Sequence, residues 1–218
     1  MAKINFKKGL TDIVLYIIIF IVVQIFLTYA GAGIWAAVKG EGYQATLLAM
    51  GTGNNAILTA LTTVFSNVIT LIIFLKAKWT SLTRNYLQSK PWISLLWVAL
   101  FTLGAIIPLE FVYEQIGVEM DANTERVFAS LMKEPWGYVA IGILAPLAEE
   151  FVFRGAILRT LLDMVSKKNH WVAIFISAAA FGLIHGNKAQ FINALLMGLL
   201  LGWMYYRTKS LVPGILMH

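Results

Sequence analysis

The sequence predicts an all-α fold, a polytopic bundle of about seven membrane-spanning helices with a cytoplasmic N-terminus. Three observations carry that prediction. Of 218 residues, 59% are hydrophobic and only 13% are charged, with mean hydropathy +0.76. A soluble domain holds about 45–50% apolar and about 25% charged residues. The apolar residues are gathered into runs long enough to cross a bilayer, which takes about 20 residues. The charges fall between those runs with the sidedness that membrane insertion imposes.

The elements follow in chain order. Lys3, Lys7 and Lys8 precede a first span over 12–38. A basic start before an apolar run resembles a secretory signal, and Ala30-Gly31-Ala32 offers small residues for cleavage. The run is longer than the roughly 7–15 apolar residues of a signal, so a retained helix is expected. A second span is expected over 46–75, interrupted by Gly51, Gly53, Asn54, Asn55 and Asn67. A third covers 91–112. The polar stretch 113–135 is expected outside the bilayer and divides the chain into leading helices, 1–112, and a core, 136–218. That core holds spans over 136–158, 170–187 and 189–206, and a last one starting near Leu211. Spans five and six are separated only by Gly186-Asn187-Lys188, so they are expected to form a tight hairpin. Gly198 and Gly202 form a Gly-xxx-Gly pair suited to close helix packing.

Charge placement tests this map independently. With the N-terminus inside, the inner segments hold Lys3, Lys7, Lys8, Lys76, Lys78, Arg84, Lys90, Arg159, Lys167, Lys168, Arg207 and Lys209. The outer segments hold only Lys39, Arg126, Lys133 and Lys188, together with most of the acids. Trp79, Trp92, Trp136 and Trp171 fall near span ends, as an interfacial aromatic belt requires. The formal charge of +6 therefore reads as topology and not as a nucleic-acid surface. The absence of cysteine excludes a disulfide framework, a thiolate nucleophile and a Cys-ligated metal.

Ionisable groups inside a span need a reason, because each costs at least about 2.5–3.5 kcal/mol at mid-depth on insertion scales. Span four carries Glu149, Glu150 and Arg154; span five ends in His185; the last span reaches His218; span six contributes the amide of Asn193. Glu150 and Arg154 are four apart and share a helix face. Glu149 lies about 100° round from Glu150, so Arg154 is less able to neutralise it. That leaves Glu149 suited to a general base, with Glu150–Arg154 as support. A single buried charge network that locks the bundle is an equal alternative. Two histidines and a glutamate from different helices could bind zinc with one open position, or run metal-free acid–base chemistry; a lone membrane histidine is often only an interhelical hydrogen-bond partner. The His-Glu-x-x-His helix motif of zinc proteases is absent. Asn193 could donate to an oxyanion or serve helix packing. At about 1.5 Å per residue, Glu149 falls near mid-membrane, His185 near the outer edge and His218 about 11 Å from the inner edge. Tilted or broken helices, or a different span boundary, are required if the three are to meet.

Glu149-Glu150-x-x-x-Arg154, then Phe181-x-x-x-His185, then a later helix carrying His218, resembles the CAAX-protease and bacteriocin-processing family (CPBP, also called Abi). The resemblance covers roughly 136–218. It implies an intramembrane endopeptidase in which Glu149 is the base that activates a water, Glu150 and Arg154 support it, and His185 positions the water. It further implies that His218 works with an Asn or Asp four residues on to stabilise the oxyanion, so the sequence is expected to continue beyond His218. No cofactor is expected on this reading; zinc held by Glu149, His185 and His218 is the metal-dependent version. The implied partners are a membrane-associated peptide or protein substrate and the lipid bilayer, in a bacterial cell membrane, with no nucleic acid. Two rivals stand beside it: a non-catalytic protein for bacteriocin self-immunity or partner binding, and a transporter using the buried charges as a proton relay. The lack of internal symmetry weighs against many transporter folds.

Overall fold

The computed structural model describes residues 5–80, 85–115, 117 and 119–218; Lys3 and Arg84 of the charge map lie outside the described residues. Every regular element among those residues is helical. The order is α1 (Phe6–Lys39), α2 (Tyr43–Gly51), α3 (Ala56–Lys76), α4 (Asn85–Gln88), α5 (Trp92–Gln115), α6 (Ala122–Leu131) and α7 (Pro135–Val139). A π-helical segment π1 (Ala140–Leu144) follows, then α8 (Ala145–Glu149), a longer π segment π2 (Glu150–Leu158) and α9 (Arg159–Met164). After a short turn come α10 (His170–Leu183), α11 (Lys188–Thr208) and α12 (Val212–Met217). Among the described residues, α1, α3, α11 and Trp92–Val112 of α5 are long and apolar enough to cross a bilayer, and α10 is a shorter apolar helix. The chain is a helical membrane protein, as the composition predicts. By length and apolarity four helices qualify as spans, against the seven expected.

The second span differs from its expected outline for a local reason. It splits into α2 and α3 around 52–55. Gly53 turns the chain with φ +78°, a conformation that glycine adopts without a Cβ penalty. The Asn55 side chain then accepts from the Leu58 N–H at 3.2 Å and caps α3.

The residues group into two compact units. The first comprises Val14–Ala77 and Asp121–Glu149. Within it, Ala32, Met50 and Leu58 form a buried cluster against Trp35 and Leu47. Polar side chains join α1 to α3: Gln24 donates to Asn67 Oδ1 at 3.2 Å, and Ser66 donates to Gln24 Oε1 at 2.6 Å. Such bonds are the usual adhesive between membrane helices, where apolar burial alone gives no preference for protein over lipid. The polar stretch contains a capped helix, α6, whose Asn123 amide donates to the Gly51 carbonyl at 2.9 Å. Span four opens in this unit. Pro146 has no N–H to donate, and its ring crowds the carbonyl four residues back. The wider i→i+5 winding of π1 immediately precedes it.

The second unit comprises Met1–Ile13, Lys78–Met120 and Glu150–His218. Its centre is π2, in which all nine residues are buried. The expected hairpin is present: α10 and α11 are joined through Gly186 at φ +74°, and Asn187 caps α11 by accepting from the Gln190 N–H at 2.8 Å. A Cβ on Gly198 would sit 2.8 Å from Ala178 Cβ, and one on Gly202 would sit 2.9 Å from Ile174 Cγ2. Both glycines therefore serve close approach of the two helices. Leu201, Met204 and Met217 form a buried cluster with Val98, which ties α5, α11 and α12 together.

Candidate active site

The second unit gathers four of the six candidate residues around one phenylalanine. Glu150 and Arg154 project from π2, both fully buried, and their side chains pair at 2.9 Å. Positions four apart on a helix meet, and the wider π turn leaves that meeting intact. The guanidinium also lies over the ring of Phe181, 4.4 Å from its centroid, a favourable placement for a cation on an aromatic face. Phe153 packs edge-on to the same ring at 5.0 Å.

His185 stands one turn beyond Phe181 on α10, edge-on to its ring at 5.0 Å. Its Nδ1 is 2.8 Å from the Phe181 carbonyl oxygen. A carbonyl only accepts, so Nδ1 carries the proton and donates. In the neutral ring Nε2 then holds a lone pair. The Phe-x-x-x-His spacing thus has a physical reason: the carbonyl four residues back fixes the tautomer. His218, at the end of α12, meets the other side of the cluster. Its ring is 5.8 Å from that of Phe181, and its Nδ1 is 3.9 Å from Glu150 Oε1. Gly214 makes that approach feasible, because a Cβ there would collide with the Glu150 carboxylate.

Glu149 and Asn193 complete the six candidates. Glu149 is half-buried at the end of α8 and closes the first unit, one residue before Glu150 opens the second. Asn193 is exposed on α11. Among the described residues, no three His, Asp or Glu side chains are grouped closely enough to hold a metal ion. The Glu150 carboxylate already faces a guanidinium.

Two hydroxyls outside the six candidate residues bond the backbone of π2. Thr80 Oγ1 donates to the Phe151 carbonyl at 2.6 Å, and Ser177 Oγ donates to the Phe153 carbonyl at 3.0 Å. Ser177 precedes Phe181 by one turn, a cue available in the sequence. Thr80 is distant in sequence and gave none.

A buried acid–guanidinium pair and two imidazoles thus gather at one aromatic ring within a helical membrane protein. Residues 131–218 match the family described as type II CAAX prenyl endopeptidase Rce1-like. The chain is 32% identical over 163 residues to the "Membrane-embedded CAAX protease MroQ" of Staphylococcus aureus (strain USA300), covering 68% of this chain and 64% of that one. It is 26% identical over 157 residues to the "Putative membrane peptidase YdiL" of Bacillus subtilis (strain 168), covering 69% and 63%. It is 25% identical over 162 residues to the "UPF0177 protein YaiF" of Lactococcus lactis subsp. lactis (strain IL1403), covering 69% and 71%. For the first two, the aligned stretch is less than two thirds of the relative's length. No solved structure gives a significant match. These matches support a place for the chain in the CPBP family, the resemblance its motifs carry.

Proposed function

We propose that this chain is an intramembrane endopeptidase that hydrolyses a peptide bond in a membrane-associated protein or peptide of a bacterial cell. The observation that carries the reading is the family match over 131–218, which spans all six candidate residues. In this reading Glu149 takes a proton from a water as its oxygen attacks the scissile carbonyl carbon. The same proton passes to the leaving amine nitrogen when the C–N bond breaks. The Nε2 of His185, an acceptor because Nδ1 is committed to the Phe181 carbonyl, orients that water. Arg154 holds the Glu150 charge, and His218 stands beside them to face the developing oxyanion, a role that preorganised donors serve well.

The test uses the full chain in detergent or nanodiscs and a library of internally quenched membrane peptides. Glu149→Gln and His185→Ala, each eluting and melting like the parent, are expected to lose at least about 100-fold in kcat/KM, within the range for general acid–base groups. Parental turnover in either variant overturns the assignment. A chain that cleaves nothing but still protects cells against a bacteriocin, with Glu149→Gln equally protective, would favour the immunity reading.

A further inference from the structure

We infer that the segment Trp79–Thr80 is a clamp on π2, and that Thr80 is a positioning residue for the Glu150–Arg154 pair. The inference rests on the proposed peptidase reading for its catalytic part and on geometry for the rest. Three contacts fix the clamp within the second unit. The Thr80 hydroxyl, 2% exposed, donates to the Phe151 carbonyl at 2.6 Å. The Thr80 methyl sits where a Cβ on residue 155 would be, so Gly155 is the socket that admits it. One turn further along, Arg159 Nη2 donates to the Trp79 carbonyl at 2.6 Å.

The placement of these bonds matters. Phe151 follows Glu150, and Phe153 precedes Arg154. The two carbonyls that receive hydroxyls, from Thr80 and from Ser177, therefore lie between the two members of the ion pair along π2. A π winding is a rare state that a sequence does not hold by propensity, and it is frequent at functional sites. Side-chain hydroxyls bonded to helix carbonyls are a known means of bending or adjusting a helix. Here the donor comes from outside the helix, so it can set where the π2 backbone lies without altering the residues of π2. Thr80 also lies before residue 131, outside the stretch the family description matches.

The experiment compares Thr80→Val, which keeps the shape and removes the hydroxyl, with Thr80→Ser, which keeps the hydroxyl and removes the methyl. Each full-length variant is measured for melting, for kcat and KM on a cleaved peptide, and for amide hydrogen exchange over 150–158. Thr80→Val is expected to lower kcat about tenfold, roughly the worth of one hydrogen bond, with KM within about twofold. Exchange should quicken over 150–158 and stay unchanged over 56–76, and Thr80→Ser should restore both readouts. A Thr80→Val protein with parental kcat, or a Thr80→Ser protein as impaired as Thr80→Val, overturns the positioning role. Should Thr80→Val fail to fold, Gly155→Ala, whose Cβ would crowd both the methyl and the hydroxyl of Thr80, is measured in the same way; parental kcat and parental exchange over 150–158 in that variant overturn the clamp. If the parent cleaves no peptide, the peptidase reading has failed, and unchanged exchange over 150–158 then overturns the clamp separately.

Discussion

Arg154 sits fully buried with its guanidinium between a carboxylate and a phenyl ring. Removing one partner of a buried pair leaves the other charge uncompensated, at a cost of about 3–5 kcal/mol, whereas replacing both by apolar groups is often neutral or better. Arg154→Leu is therefore expected to melt well below the parent in detergent. The double variant Glu150→Met/Arg154→Leu should regain most of that stability while remaining inactive. Equal melting of the single and double variants would show that the pair contributes no mutual compensation. This pairing was legible in the sequence because residues four apart meet on any helix close to α winding. The tautomer of His185 was half legible: the spacing to Phe181 was visible, and its meaning came only with the carbonyl distance. Thr80 was invisible, because its partner is 71 positions away and a threonine in a polar connection carries no pattern of its own.

At the scale of elements, span four is the clearest departure from sequence expectation. The sequence placed a continuous helix over 136–158, and the chain instead changes winding at Ala140–Leu144 and again at Glu150–Leu158. α and π segments draw on the same residues, so hydrophobic periodicity does not separate them, although Pro146 marks the first change. The polar stretch holds a helix because Asp121 caps it. Its carboxyl accepts from the Thr124 hydroxyl at 2.5 Å and the Thr124 N–H at 2.9 Å, and those bonds hold it below the usual aspartate range, the hydroxyl first. A carboxyl lowered in this way stabilises the fold above the unfolded value of about 3.9 and loses that contribution as pH falls through the native value. Resonances of α6 are accordingly expected to shift toward frayed values below about pH 4. In Asp121→Asn the part of the acid dependence that this cap supplies should be lost, because an amide does not titrate.

For the whole molecule, the sidedness of basic residues predicts orientation. The chain contains no cysteine, so single introduced cysteines report cleanly. Lys168→Cys and Lys209→Cys are expected to react with a membrane-impermeant maleimide only from the cytoplasmic side, and Lys133→Cys only from the outside. The opposite pattern would invert the topology. The membrane class was legible from composition alone. The grouping into units was not, since each is assembled from stretches far apart in the chain.

That interleaving bears on biosynthesis. α5 leaves the ribosome long before α11 and α12, the helices that join it in the Leu201–Met204–Met217 cluster. Its spanning stretch buries no residue in the finished protein, and Ile93, Trp97, Leu103 and Ile107 remain more than half exposed. Such a helix can wait alone in lipid during translation. Glu150 and Arg154 need no such patience, for each emerges with its counter-charge one turn away.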